Sequence, residues 1–160
     1  MRTRVVVKSE TTPTIRPATE DDLAACARIV NDYIDATDWL PRARSREEIA
    51  DLFTPKLFAT RVLLVADVAG VVVGYLSSSK DGFMHGIYVD VPFRGRGIGK
   101  LLLDEVKARF PGGLELTVFE PNIRAYRFYE REGFRELPDR RVEYADDGVP
   151  MLLMRWGGKS

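Results

Sequence analysis

Apolar and polar positions fall into blocks along this chain, and the period of each block names an element. Thr14–Arg16 is a short β-rich run stopped by Pro17. From Leu23 the period changes, with Leu23, Cys26, Ala27, Val30 and Ile34 recurring at helical spacing. Thr19 provides an N-cap there, and Glu20-Asp21-Asp22 places acids where a helix dipole favours them. Ser45-Arg46-Glu47-Glu48 has the spacing of a capping box, so a second helix is expected to run from it towards Phe58. Three β-rich runs follow: Arg61–Asp67, Val71–Ser77 and Phe83–Val89. Val68-Ala69-Gly70 joins the first two as a hairpin, and Lys80-Asp81-Gly82 turns the chain into the third. Leu101, Leu102 and Val106 then carry a helical pattern that ends near Phe110-Pro111-Gly112-Gly113. Leu114–Phe119 is another strand. A helix starting at Pro121-Asn122 runs through Tyr129 and stops at Gly133, a natural glycine for a helix end. Phe134–Leu137 and Met151–Trp156 close the chain as strands around a polar segment, Pro138–Gly148. The pattern predicts a mixed α/β fold with a largely antiparallel front half. Residues 1–12 read as a loose leader and 13–160 as a single domain.

Composition narrows the classes of function. The chain has 160 residues, enough for one domain with a real core. Its 24 basic residues balance 24 acidic ones, so no global field draws it to nucleic acid or to an anionic membrane. Apolar runs such as Val62–Ala66 are too short to span a bilayer. Cys26 is the one cysteine and has no internal partner. It reads as a small buried hydrophobe on its helix rather than a nucleophile. These features predict a cytoplasmic protein.

The chemistry concentrates between Val89 and Leu103. A strand enters a glycine-rich turn, Arg94-Gly95-Arg96-Gly97-Ile98-Gly99-Lys100, which opens a helix. Backbone N–H groups at a helix N-terminus, unobstructed by side chains and flanked by cations, suit a polyphosphate. A Walker A loop fails here, because Leu101 follows Gly99-Lys100 and Arg94 stands where the first glycine is needed. A dinucleotide turn fails as well, because Lys100 occupies the third glycine position of G-x-G-x-x-G. The spacing that remains is R-x-x-G-x-G, through Arg94, Gly97 and Gly99.

His85 to Leu103, HGIYVDVPFRGRGIGKLLL, resembles the acyl-CoA signature of the GNAT superfamily of N-acetyltransferases. Asn122 to Phe134, NIRAYRFYEREGF, is similar to the second motif of that family. The resemblance runs from about Thr14 to Trp156. It implies a mixed, largely antiparallel central sheet flanked by helices, with strands splayed around the acyl-CoA site. It also implies acetyl-CoA as cosubstrate, with no metal, and an amine acceptor. Ile87, Tyr88 and Val89 would offer main-chain groups to the pantetheine arm. The amides from Arg94 through Gly95, Arg96, Gly97, Ile98 and Gly99 to Lys100 would hold the pyrophosphate, with Arg94 partly structural. Asn122 matches a residue that meets the pantetheine amide, and it equally suits a helix N-cap. Tyr129 matches the family's acid for the leaving thiolate.

The base is open. Phe83 stands where some relatives carry a glutamate. His85, the sole histidine, shares strand parity with Phe83 and Ile87, so it is a candidate base alongside a water relay, ahead of Glu120. Tyr33, Trp39 and Tyr144 are candidate acceptor contacts. The reading is acetyl transfer to a primary amine of a small molecule by direct attack in a ternary complex. Acylation of a peptide N-terminus or a lysine is the alternative within enzymes, and a non-catalytic acyl-CoA sensor is the alternative outside them. A homodimer through the last strands is expected by analogy.

Overall fold

A computed structural model describes residues 12–138 and 148–158. The first eleven residues of the expected leader and Tyr144 lie outside these. In chain order the elements are β1 (Thr14–Pro17), α1 (Leu23–Asp35), α2 (Arg46–Asp51), β2 (Arg61–Val68), β3 (Val71–Ser79), β4 (Phe83–Val89), α3 (Ile98–Arg109), β5 (Leu114–Phe119), α4 (Ile123–Arg131), β6 (Arg135–Glu136) and β7 (Met151–Trp156). They match the expected order. The second helix is shorter than expected, and proline is the reason. Pro55 lacks an N–H and holds Thr54 extended at φ −112°, ψ 164°, so α2 ends at Asp51 and a separate 3-10 turn takes Pro55–Ala59.

One seven-stranded sheet runs in the order β1-β2-β3-β4-β5-β7-β6. Every neighbouring pair is antiparallel except β4 and β5. The first hairpin turns on Ala69 and Gly70, both left-handed at φ 52° and 87°. Two positive φ values match the twist of the flanking strands. The Asp67 carboxylate accepts the Gly70 N–H at 2.7 Å and braces the turn.

Each face of the sheet carries its own core. On one face α3 and α4 bury Ile98, Leu102, Leu103, Val106 and Tyr129 against Leu64, Leu76, Met84, Leu116 and Met154. On the other, α1 buries Leu23, Cys26 and Ile29 against Leu63, Val65 and Tyr75. Arg16 ties the start of α1 to the sheet through Asp22 at 2.8 Å and Asp67 at 3.0 Å. Cys26 is fully buried, and burial pushes its thiol up to about 12, which fits packing and not attack.

Two irregularities position the site. The parallel contact between β4 and β5 covers only Phe83↔Glu115 and Met84↔Leu116, after which the strands part. The expected splay is therefore present. The second irregularity is a bulge in β4. Gly86 pairs with Ser77 and Met84 with Ser78, which leaves His85 as the extra residue. Met84 and Ile87 consequently pack into the same core although they lie three positions apart. Strict alternation would have put them on opposite faces.

Leu102 is fully buried under the sheet and anchors the helix that follows the glycine turn. Leu102→Ala is expected to cost about 2–5 kcal/mol of stability in denaturant unfolding, the usual price of an unfilled core cavity.

Candidate active site

The parting of β4 from β5 opens a cavity of about 560 Å³ whose walls are β4, the glycine turn, α3 and α4. Ile87, Tyr88, Val89, Arg94, Gly95, Gly97, Ile98, Gly99, Lys100, Asn122 and Tyr129 all line it, as does Tyr33 from α1. Both sequence motifs thus meet on one surface. Arg96 sits in the same turn but lies over the Phe93 ring, 5.3 Å from its centroid, and is not on the wall.

The turn works through its backbone. Gly95 and Gly97 are left-handed at φ 77° and 81°, and a Cβ at either would meet open space. Gly97 caps α3, whose first turn carries no acid. The positive end of this twelve-residue helix is therefore left to an external anion. Arg94 is structural in part, as expected. Its Nε donates to the Val89 carbonyl at 3.0 Å and closes the turn onto the strand. Lys100 is paired already, with Glu132 at 3.0 Å and Asp104 at 3.5 Å.

Asn122 serves as a cap and as a cross-link. Its Oδ1 accepts the Ala125 N–H at 3.2 Å, and its Nδ2 donates to the Tyr33 hydroxyl at 3.3 Å. The Tyr33 ring meets Tyr88 edge-on at 5.3 Å, and Tyr88 stacks on Tyr75 at 6.1 Å. Tyr129 is buried and packs between Phe128 and Phe134. Burial, reinforced by the nearby phenols of Tyr88 and Tyr33, holds its own phenol well above the ordinary tyrosine range. Tyr129 is therefore a protonated donor at neutral pH.

The structure does not bring His85 to this cavity. His85 stands beside Phe83, with rings 5.3 Å apart, and the bulge separates it from the face of Ile87. It lines a second, larger cavity of about 910 Å³ at the far end of β4, with Thr60, Asp81 and Arg155. Partial burial and the Arg61 charge lower its pKa, so the ring is neutral at pH 7. The larger space holds neither the glycine turn nor Asn122 and Tyr129. Trp39 is off the wall too; its ring packs on Phe119 at 5.5 Å, at the end of β5. Sequence reasoning missed Arg124, Phe128 and Arg131, which also line the cavity. The signal available for the two arginines was their spacing of seven, two turns along one helix face.

Comparison with known proteins agrees with this geometry. The profile of the Acetyltransferase (GNAT) family matches residues 20–134. The chain belongs to this family and is an acetyl-CoA-dependent N-acetyltransferase. It is 32% identical over 151 residues to N-alpha-acetyltransferase RimI of Mycobacterium tuberculosis, covering 89% of this chain and 90% of RimI. It is 31% identical over 122 residues to peptidyl-lysine N-acetyltransferase YjaB of Salmonella typhimurium, covering 76% of this chain and 81% of that protein. It is also 29% identical over 150 residues, 89% of this chain, to the uncharacterized protein ML0378 of Mycobacterium leprae, of whose length it spans 39%. Among solved structures, apo YjaB of Escherichia coli superposes with a TM-score of 0.72 at 27% identity, over 92% of this chain and 99% of that one. Among the described residues no group of His, Cys, Asp and Glu is placed to hold a metal ion, and no helix is long and apolar enough to cross a membrane.

The wall chemistry fits acetyl-CoA: an acid-free helix N-terminus for a diphosphate, a parted strand edge for an amide-bearing arm, and a buried phenol beyond it. Gly97→Ala tests the first of these. The methyl is expected to strain the left-handed turn by about 1–2 kcal/mol and to stand where a phosphate approaches. Acetyl-CoA affinity should fall about tenfold or more in titration calorimetry, with the circular dichroism spectrum unchanged. Unaltered affinity would place the diphosphate elsewhere.

Proposed function

We propose that this enzyme acetylates a primary amine carried by a polypeptide, at its N-terminus or on a lysine, by direct attack in a ternary complex. The reading departs from the small-molecule acceptor expected from sequence. It is carried by the likeness to RimI and to YjaB, whose names specify an N-alpha-acetyltransferase and a peptidyl-lysine acetyltransferase. Arg42 binds Asn31 at 2.8 Å and Asp35 at 2.8 Å, and Arg46 pairs with Asp32 and Asp35. These contacts tie the loop carrying Trp39 to α1, and the Trp39 ring packs on Phe119 at the end of β5.

Acetyl-CoA, when bound, supplies an acetyl thioester with an electrophilic carbonyl. The β4 backbone between Ile87 and Val89 is unpaired on its β5 side, so its N–H groups are free to polarise that carbonyl. Tyr33 holds the Asn122 amide in place, which leaves one Nδ2 hydrogen for the arm. Tyr129 donates its proton to the leaving sulfur. Its raised pKa keeps it protonated below and through its ordinary value near 10. No alkaline loss of kcat from this group is therefore expected between pH 7 and 9. His85 lies outside the route; the acceptor attacks as the neutral amine, and the proton its nitrogen sheds as the amide forms returns through water to the Tyr129 phenolate.

Tyr129→Phe should lower kcat by about 10²–10⁴-fold and leave acetyl-CoA binding intact by calorimetry. An unchanged kcat would remove Tyr129 from the acid role. His85→Ala should leave kcat and its pH profile unchanged, and a displaced acidic limb would restore His85 as the base. The acceptor is settled by thiol release with four substrates: a peptide with a free N-terminus, an N-capped lysine peptide, a polyamine and a free amino acid. Turnover confined to the last two would overturn the polypeptide reading.

A further inference from the structure

The cavity beside the glycine turn carries more positive charge than a diphosphate requires. Arg94, Lys100, Arg124 and Arg131 line it, against the single carboxylate of Glu132. Two of these cations have other duties. Arg94 closes the turn onto Val89, and Lys100 is held by Glu132 and Asp104. Arg124 and Arg131 are different. Both are exposed on α4, and neither makes a hydrogen bond or ion pair with any described residue.

Position separates these two from an ordinary solvated surface. Arg127 lies on the same helix, is equally exposed and is equally without a partner, yet it is off the cavity wall. Arg124 and Arg131 are seven residues apart, about 10 Å along the helix axis, on one face. Side chains of that length converge on a group lying between them. Arg131 also adjoins Glu132, whose bond to Lys100 places this end of α4 against the start of α3.

CoA carries phosphate in two places. The diphosphate is a linear linker and suits backbone amides at a helix N-terminus. The ribose 3′-phosphate is a monoester of charge near −2, which the amides of one helix end cannot also satisfy. It calls for guanidinium groups, whose forked donors match phosphate oxygens. We propose that Arg124 and Arg131 form the subsite for the 3′-phosphate of CoA, so that the enzyme selects CoA over its 3′-dephospho form. The proposal rests on the acetyl-CoA reading of the cavity and deepens it.

Titration calorimetry of acetyl-CoA and acetyl-3′-dephospho-CoA tests it, on the wild type and on Arg124→Ala, Arg131→Ala and Arg127→Ala. The wild type is expected to bind the dephospho compound about tenfold more weakly, as loss of one charge-assisted contact implies. Arg124→Ala and Arg131→Ala should weaken acetyl-CoA by a similar factor and leave the dephospho compound unaffected. Arg127→Ala should change neither. Equal binding of the two compounds by the wild type would overturn the subsite. So would an equal loss on both compounds in the variants, because that pattern reports general attraction. Failure of the wild type to bind either compound is a different result and would overturn the acetyl-CoA reading itself.

Discussion

A strand inside a sheet must have partners for its backbone on both sides, and β4 does not. It is paired with β3 along most of its length, but with β5 at only two positions. Unpaired backbone groups at the centre of a fold are costly unless something else meets them. The surrounding structure is built so that a ligand can. The helix after β4 turns back at once through glycines, α4 leaves β5 on the far side of the gap, and neither helix fills it. The cleft is a consequence of where pairing stops.

Aromatic rings flank that gap. Tyr33, Tyr75 and Tyr88 pack ring to ring on one side, and Tyr129 stands with Phe128 and Phe134 on the other. The bond from Asn122 to Tyr33 ties the two sides, as the pair of Lys100 and Glu132 does further along. The first joins the start of α4 to α1. Burial of the phenols also fixes their charge state. Tyr88 is pushed up to about 12 and Tyr129 further, so the cleft holds neutral donors where exposed tyrosines would titrate sooner.

Much of this was legible in the residues. The limits of Phe83–Val89 and Leu114–Phe119 follow from the residues, because turn residues bound each β-rich run. The glycine turn was legible because Gly95 and Gly97 take angles other residues avoid. Three things were not. The bulge at His85 depends on how β3 and β4 register with each other, a non-local fact that local parity cannot report. The second helix stopped early because Pro55 and Thr54 outweighed the capping box that began it. Arg124 and Arg131 read as an ordinary polar helix face, since whether such a face meets water or a cavity is decided by the packing of α4 against α3. Tyr144 lies outside the described residues.

The clasp between Lys100 and Glu132 has a consequence for exchange at the mouth of the cavity. The cavity brings its own counter-ion. An anion arriving at the start of α3 does not meet a bare cation, but one already compensated by a carboxylate 3.0 Å away. It gains only the difference between its own hold on Lys100 and that of Glu132. A weakly charged anion gains almost nothing by that trade, whereas a multiply charged one also engages the helix amides and comes out ahead. Glu132 thus ties the worth of Lys100 to the number of charges that an arriving anion carries.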